Sequence, residues 1–310
     1  MNRRELIKYL AFLTPFVKTP AIWARDKSPE IAFTFDDPTI DSGGGLSWQE
    51  INERMLAALD KHRIKSILFV VGKRVDSDAG RTLVSAWDQA GHAIGNHSYS
   101  HLFFNSADTT LDQFESDFLR DEPMIRNYPH FVPLFRFPYF KEGETAEKRD
   151  GMRSFLHKHG YRIGRATIDA TDWAISQRLE KRVSNDRGAD LEPYGEFFKQ
   201  HIWERAQYYD SLSLRVLGHT VRHTVLLHHN ALNACFLDQL IGMFIEKGWK
   251  PIDASYAYAD RAYDLQPKIL PAGESLVWAL AKQSGKFEKE LRYPGEDDVY
   301  ENPKMDALKL

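Results

Sequence analysis

The sequence predicts an α/β fold, a parallel (β/α) barrel followed by a C-terminal extension. Three observations carry this. Apolar runs of strand length alternate with amphipathic stretches of helix length. The apolar runs are continuous, as in parallel strands covered on both faces. Polar and titratable residues gather just after the strands, where the βα loops of a barrel build a site.

The 310 residues are 43% hydrophobic and 27% charged, enough for one large α/β domain or two small ones. A net charge of -3 marks no nucleic-acid surface and no polybasic membrane anchor. Cys235 is the sole cysteine, so no intramolecular disulfide exists.

The first 24 residues read as an export signal. Arg3 and Arg4 precede an apolar run from Tyr9 to Val17, as in a twin-arginine leader, and that run is too short to span a bilayer. Ile22 stands where a small residue is preferred for cleavage. The reading is an exported, periplasmic protein with no stable membrane anchor after signal removal. A cytoplasmic amphipathic helix is the other reading of the segment.

Taken in order, Ile31 to Phe35 form the first strand, ending in the adjacent carboxylates Asp36 and Asp37. Two unpaired charges cannot sit inside a buried strand, so the pair belongs at its C-terminal mouth, partly neutralised. A divalent metal would do this. Adjacent residues point to opposite faces of a strand, leaving one acid free to bind metal and the other to act as a base. The alternative is an Asp-rich turn. Ser47 to Glu50 has the form of a capping box before a helix burying Ile51, Met55 and Leu59. Strands follow at 66–72 and 93–95, separated by a helix that stops at Gly91.

His97 and His101 come next, spaced i and i+4. One helical turn would put both imidazoles on one side, at a spacing suited to a shared metal. With one aspartate they make three ligands and leave a position open, as catalytic zinc requires. A solvated helix start is the alternative. Further along come a helix with Phe114 and Phe118, a strand end at 133–139, a strand at 161–168 leading to Asp169 and Asp172, a longer helical region at 174–220, and a strand at 225–227 ending in His228-His229. The reading divides the chain into the signal (1–24), a barrel domain (25–257) and an extension packed on the barrel (258–310).

Thr34-Phe35-Asp36-Asp37, His97-Ser98-Tyr99-Ser100-His101, Arg136-Phe137-Pro138-Tyr139, Asp172-Trp173 and Leu226-Leu227-His228 together resemble the five ordered motifs of the polysaccharide deacetylase family, over roughly Ile31 to Ala254. The resemblance implies a distorted (β/α) barrel and metal-dependent removal of acetyl groups from N-acetylated sugars of an acetylated glycan. By position, Asp37, His97 and His101 would hold Zn2+, or Co2+, Ni2+ or Mn2+. Asp36 would be the general base, paired with Arg136. His228 would be the general acid, supported by Asp172. The backbone N–H of Tyr139 would stabilise the oxyanion. Trp173 reads either as lining the acetyl pocket with Leu226 or as a plain core residue, and the Tyr139 ring as a stacking face for a sugar, although the resemblance involves only its backbone.

The chain departs from that pattern in three places. Pro38 directly follows the aspartate pair, and the glycine run Gly43-Gly44-Gly45 comes after it. Ala166 stands near a position often aromatic. The doubled histidine leaves His228 or His229 as the acid. Asp169 reads as a turn carboxylate, His219 and His223 as exposed loop histidines, and Trp48, Trp87 and Trp278 as packing residues. The same fold also admits an O-acetyl esterase, a non-sugar amidase or a non-catalytic glycan-binding relative.

Overall fold

The computed structural model describes residues 28–291 and 298–310. The proposed export signal lies outside the described residues. The barrel elements run β1 Glu30–Asp36, α1 Trp48–Lys61, β2 Ile67–Val70, α2 Gly72–Val75, α3 Asp78–Gln89, β3 Ala93–Asn96, α4 Leu111–Ile125, β4 Phe131–Phe135, β5 Lys141–Gly143, α5 Ala146–Lys158, β6 Arg162–Ile163, α6 Asp172–Asn185, α7 Glu192–Leu217, β7 Arg222–His228, α8 Ala231–Glu246 and β8 Lys250–Pro251. They are followed by α9 Ala254–Ala257, β9 Ala272–Gly273, α10 Leu276–Ser284 and α11 Asn302–Leu308.

The main sheet has the order β6-β4-β3-β2-β1-β7, with β8 also paired to β1, and every pairing in it is parallel. It curls on itself. Ile168, beyond the end of β6, bridges Val225 of β7, so the two ends of the sheet meet. This is the expected distorted (β/α) barrel. Its irregularity lies where the sequence suggested one strand over 161–168. Only Arg162–Ile163 pair with β4, and the chain then crosses to β7.

The alternation within β1 explains its continuous apolar run. Ile31, Phe33 and Phe35 point outward into the layer formed with α1, α3, α7 and α8. Ala32 points inward with Ile67 and Phe69, and Tyr258 and Tyr263 close that inner cluster. Both faces are covered, so an alternating polar pattern would have stranded charges in the core. The capping box at Ser47 forms in both directions with Glu50, as the sequence predicts.

The extension packs against the barrel. Leu276 N–H donates to Ala166 O, and Glu274 N–H to Phe140 O. Gly273 sits at φ +131, and a Cβ there would fall 1.9 Å from the Phe140 carbonyl oxygen, so only glycine allows this approach. Among the described residues no helix is long and apolar enough to cross a membrane.

Candidate active site

The C-terminal ends of the parallel strands open into a cavity of about 490 Å³. Asp36 lies level with His228 across the β1–β7 ladder and with Phe69 across β1–β2. The register therefore brings the first aspartate of the pair and the first histidine of the doublet to one rim.

Asp37 corrects an expectation. An ideal strand would turn it away from Asp36, but β1 ends at Asp36, and Asp37 takes φ 61. That left-handed turn, costly for a side-chain-bearing residue, brings both carboxylates into the same cavity. Nε2 of His97 lies 3.6 Å from Asp36 Oδ2 and 3.8 Å from Asp37 Oδ1.

The histidine pair is brought together differently from the expected helical turn. Residues 97–101 form no helix. They run as a loop after β3, with Ser98 at φ 66 and His101 at φ 56. Asn96 Oδ1 accepts from Ser98 N–H at 2.8 Å, Asp117 accepts from Ser100 N–H, and Ser98 Oγ accepts from His101 N–H. Side-chain acceptors thus fix the loop together with backbone hydrogen bonds, His97 N–H to Val70 O and Tyr99 N–H to Asp117 O among them.

The ligand atoms of Asp37, His97 and His101 all lie within 4.8 Å of one another. Three observations fit this set to a divalent metal. Nδ1 of His97 donates to Arg136 O at 2.7 Å, which turns the Nε2 lone pair toward the cluster. Burial pushes His97 and His101 below the usual histidine range, keeping each ring neutral with one nitrogen free to bind a metal. Asp37 Oδ1 is buried without a hydrogen-bond donor. Burial raises the Asp37 carboxyl, but His101, His97 and Arg74 outweigh it and hold the group below its ordinary value.

Asp36 sits in a different setting. Arg136 Nη1 donates to its Oδ1 at 2.7 Å. Arg136 is itself fully buried and also gives hydrogen bonds to Gly164 O, Thr34 Oγ1 and Tyr258 Oη. Its guanidinium lies 4.0 Å from the centre of the Phe69 ring. Gly95 and Gly164 make room for that ring, since a Cβ at either would come within 2.7 Å of it. Burial raises the Asp36 carboxyl to about 6, with Arg136 limiting the rise.

On the opposite side, Asp172 opens α6 and holds His228. It accepts the ring Nδ1–H at 2.7 Å and the backbone N–H at 2.8 Å. Asn230 and Asn233 donate to the same carboxylate. Burial lowers the His228 imidazole, but the charge and hydrogen bond of Asp172 outweigh it and raise the ring to about 9. His229 lines the same cavity but is 3% exposed; its ring nitrogens have no partners and it sits against Trp87. Burial lowers it to about 4. The doubled histidine therefore holds two chemically distinct groups.

Tyr139 lies in a tight turn over 138–140 at φ 56, with its ring against His101. Leu226, Phe140 and Ala166 form a small apolar cluster, and Leu226 and Phe140 line the cavity with Trp173. Ala166, near a position often aromatic in the family the sequence resembles, packs behind the cavity residues Phe140 and Leu226. Asp169 is buried and lines the cavity. His223 is not an exposed loop residue: it lies inside β7, fully buried, with its ring nitrogens at 3.0 Å from Thr167 Oγ1 and 3.4 Å from Asp210. His219 is exposed. Tyr258 and Asn233 sit outside the motifs and sequence reasoning misses them, whereas Thr34 lies inside the first motif without a role assigned to it; only the curled sheet brings Tyr258 to Arg136.

Residues 24–164 match the polysaccharide deacetylase family model. A peptidoglycan-N-acetylglucosamine deacetylase of Bacillus cereus is 28% identical over 145 residues, 46% of each chain. One of Listeria monocytogenes is 31% identical over 163 residues, 52% of this chain and 30% of that protein. The chain thus spans about half or less of these curated relatives. A carbohydrate esterase (CE4) family pseudoenzyme of Bacillus anthracis superimposes with a TM-score of 0.51 at 19% identity, over 75% of this chain and 66% of that one. At this identity the likeness shows the fold alone.

Proposed function

We propose that this chain, which belongs to the polysaccharide deacetylase family, is a metal-dependent hydrolase that removes acetyl groups from N-acetylated sugars of an acetylated glycan. One observation carries the reading. The Asp37–His97–His101 cluster, Asp36 backed by Arg136, and His228 backed by Asp172 all face one cavity. The fold alone would not carry it, because a structural neighbour is a pseudoenzyme.

Asp37, His97 and His101 would hold the ion, zinc or a similar divalent transition metal. When bound, it would supply Lewis acidity for the acetamide carbonyl and the attacking water. Asp36 takes a proton from that water, with Arg136 holding its carboxylate in place. His228 donates its proton to the amide nitrogen as the C–N bond breaks, leaving acetate and a free amine. The backbone N–H of Tyr139 contributes to oxyanion stabilisation. Trp173 and Leu226 shape the space for the acetyl methyl. Each acid–base residue is worth roughly 10²–10⁴-fold in rate.

The export signal and the division at 257/258 belong to the same reading, which puts the enzyme outside the cytoplasm, where peptidoglycan-like glycans are found. The test is acetate release by the purified chain, with zinc or a chelator, from N-acetylglucosamine oligomers, peptidoglycan and an acetyl ester. Zinc-dependent release from an N-acetyl glycan is expected. Release from the ester alone would replace the reading with an esterase.

A further inference from the structure

Beyond the catalytic cavity, a second groove of about 650 Å³ runs along the extension. Phe103 begins it, and Leu270, Pro271 and Trp278 form its apolar side. Phe103 is 44% and Leu270 51% exposed, so two large apolar side chains of one groove face solvent. Lys141 and Glu274 also line the groove, paired at 2.6 Å. The other Glu274 oxygen, Oε2, is buried without a hydrogen-bond donor, an arrangement costly unless a donor is supplied.

The groove adjoins the active site through ring contacts. The ring of Phe103 packs edge-on against Tyr139 at 5.5 Å, and Tyr139 against His101 at 4.5 Å. Its floor is fixed to the same turn that carries Tyr139. β5 starts directly after Phe140 and pairs antiparallel with β9, and Glu274 N–H binds Phe140 O. The extension is thus locked to the rim of the catalytic cavity.

We propose that this groove is a distal glycan subsite. It holds sugar units that lie beyond the Tyr139–Phe103 rim from the reacting one. Exposed aromatic and aliphatic faces match the C–H faces of pyranose rings, and the Lys141–Glu274 wall offers partners for hydroxyls. A purely apolar partner would leave that polar wall unmatched. The inference rests on the deacetylase reading and adds that the C-terminal extension, and not the barrel alone, binds the glycan.

The experiment uses the full chain and the variant F103A/L270D. Acetate release is measured with N-acetylglucosamine dimer and pentamer. Calorimetric binding of the glucosamine pentamer, which requires no turnover, is measured alongside. The expected result is a wild-type KM lower for the pentamer than for the dimer. In the variant the pentamer KM rises about tenfold, equivalent to about 1.4 kcal/mol, while kcat and the dimer constants stay unchanged. Calorimetric affinity falls in step. Equal KM values for the two lengths, or unchanged pentamer binding in the variant, overturn the subsite. Absence of acetate release with weakened calorimetric binding sustains the groove and removes the deacetylase reading instead.

Discussion

Asp172 grips His228 at two points, accepting the ring Nδ1–H at 2.7 Å and the backbone N–H at 2.8 Å. The first bond fixes the tautomer and the second fixes the strand end that carries the ring. A third and a fourth donor, Asn230 and Asn233, saturate the carboxylate. The acid of the proposed reaction is therefore positioned by a charge that is itself fully satisfied.

The pH dependence follows from that grip. His228, raised to about 9, keeps its proton through neutral pH and loses it as pH passes that value. The rate is expected to hold through neutral pH and fall above about 9. In Asp172→Asn the largest supporting charge is gone and only the weaker effects of Asp37 and Asp36 oppose burial, so the alkaline fall moves to lower pH. A kcat–pH profile of both proteins checks this, and an unmoved alkaline limb would remove Asp172 from the role.

The doubled histidine gives a second test. His228→Ala is expected to keep its metal and lose about 10²–10⁴-fold in turnover. His229→Leu is expected to retain turnover, since its buried ring makes no hydrogen bond. Steady-state rates with metal content measured by mass spectrometry separate the two. Collapse of turnover in His229→Leu alone would exchange their roles.

Tyr258 supports Arg136 from beyond the motifs. Its hydroxyl accepts from Arg136 Nη2 at 2.8 Å and donates to Arg165 O at 3.0 Å. Tyr258→Phe leaves a buried charged donor one acceptor short, at a cost of about 1.5–3 kcal/mol in stability. Turnover is expected to fall with bound zinc unchanged, because Asp36 depends on Arg136 and the ligand cluster does not. Denaturant melts and zinc content check the two halves of the prediction.

His97→Ala is expected to lose the metal, as one of three ligands. Equilibrium dialysis against zinc reads this directly. Stoichiometric zinc in the variant would overturn the assignment.

Acid sensitivity has a separate origin. His92 is buried, with Nδ1 accepting from Ser66 N–H, and burial lowers it to about 4. In the unfolded chain it titrates near 6.5. Between those values the unfolded state binds the proton and the native state does not. Stability therefore rises with pH across that window and is lost as pH falls, by about 1.4 kcal/mol per pH unit for this group. Urea titrations at pH 7 and pH 5 are expected to show the difference, reduced in His92→Gln.

The sequence by itself determined covered parallel strands such as β1 and β2, the capping box and the donor and acid–base character of the motif residues. Those are short-range matters. A continuous apolar run is a covered parallel strand wherever it lies, and two carboxylates ending one must lie at its mouth. The glycines of the core were only partly legible, since Gly95 and Gly164 matter through the Phe69 ring, which neither adjoins in sequence. Tertiary structure alone decided how the site is assembled. His97 and His101 meet through a loop tied by Asn96 and Asp117, not through a helical turn. Asp37 joins Asp36 because the backbone turns left-handed at the end of β1. Tyr258 reaches Arg136, and the extension reaches the rim at Phe140, only because the curled sheet closes 122 residues of separation into one hydrogen bond. Such contacts depend on which surfaces the packed core brings together, and no local pattern in the chain encodes that.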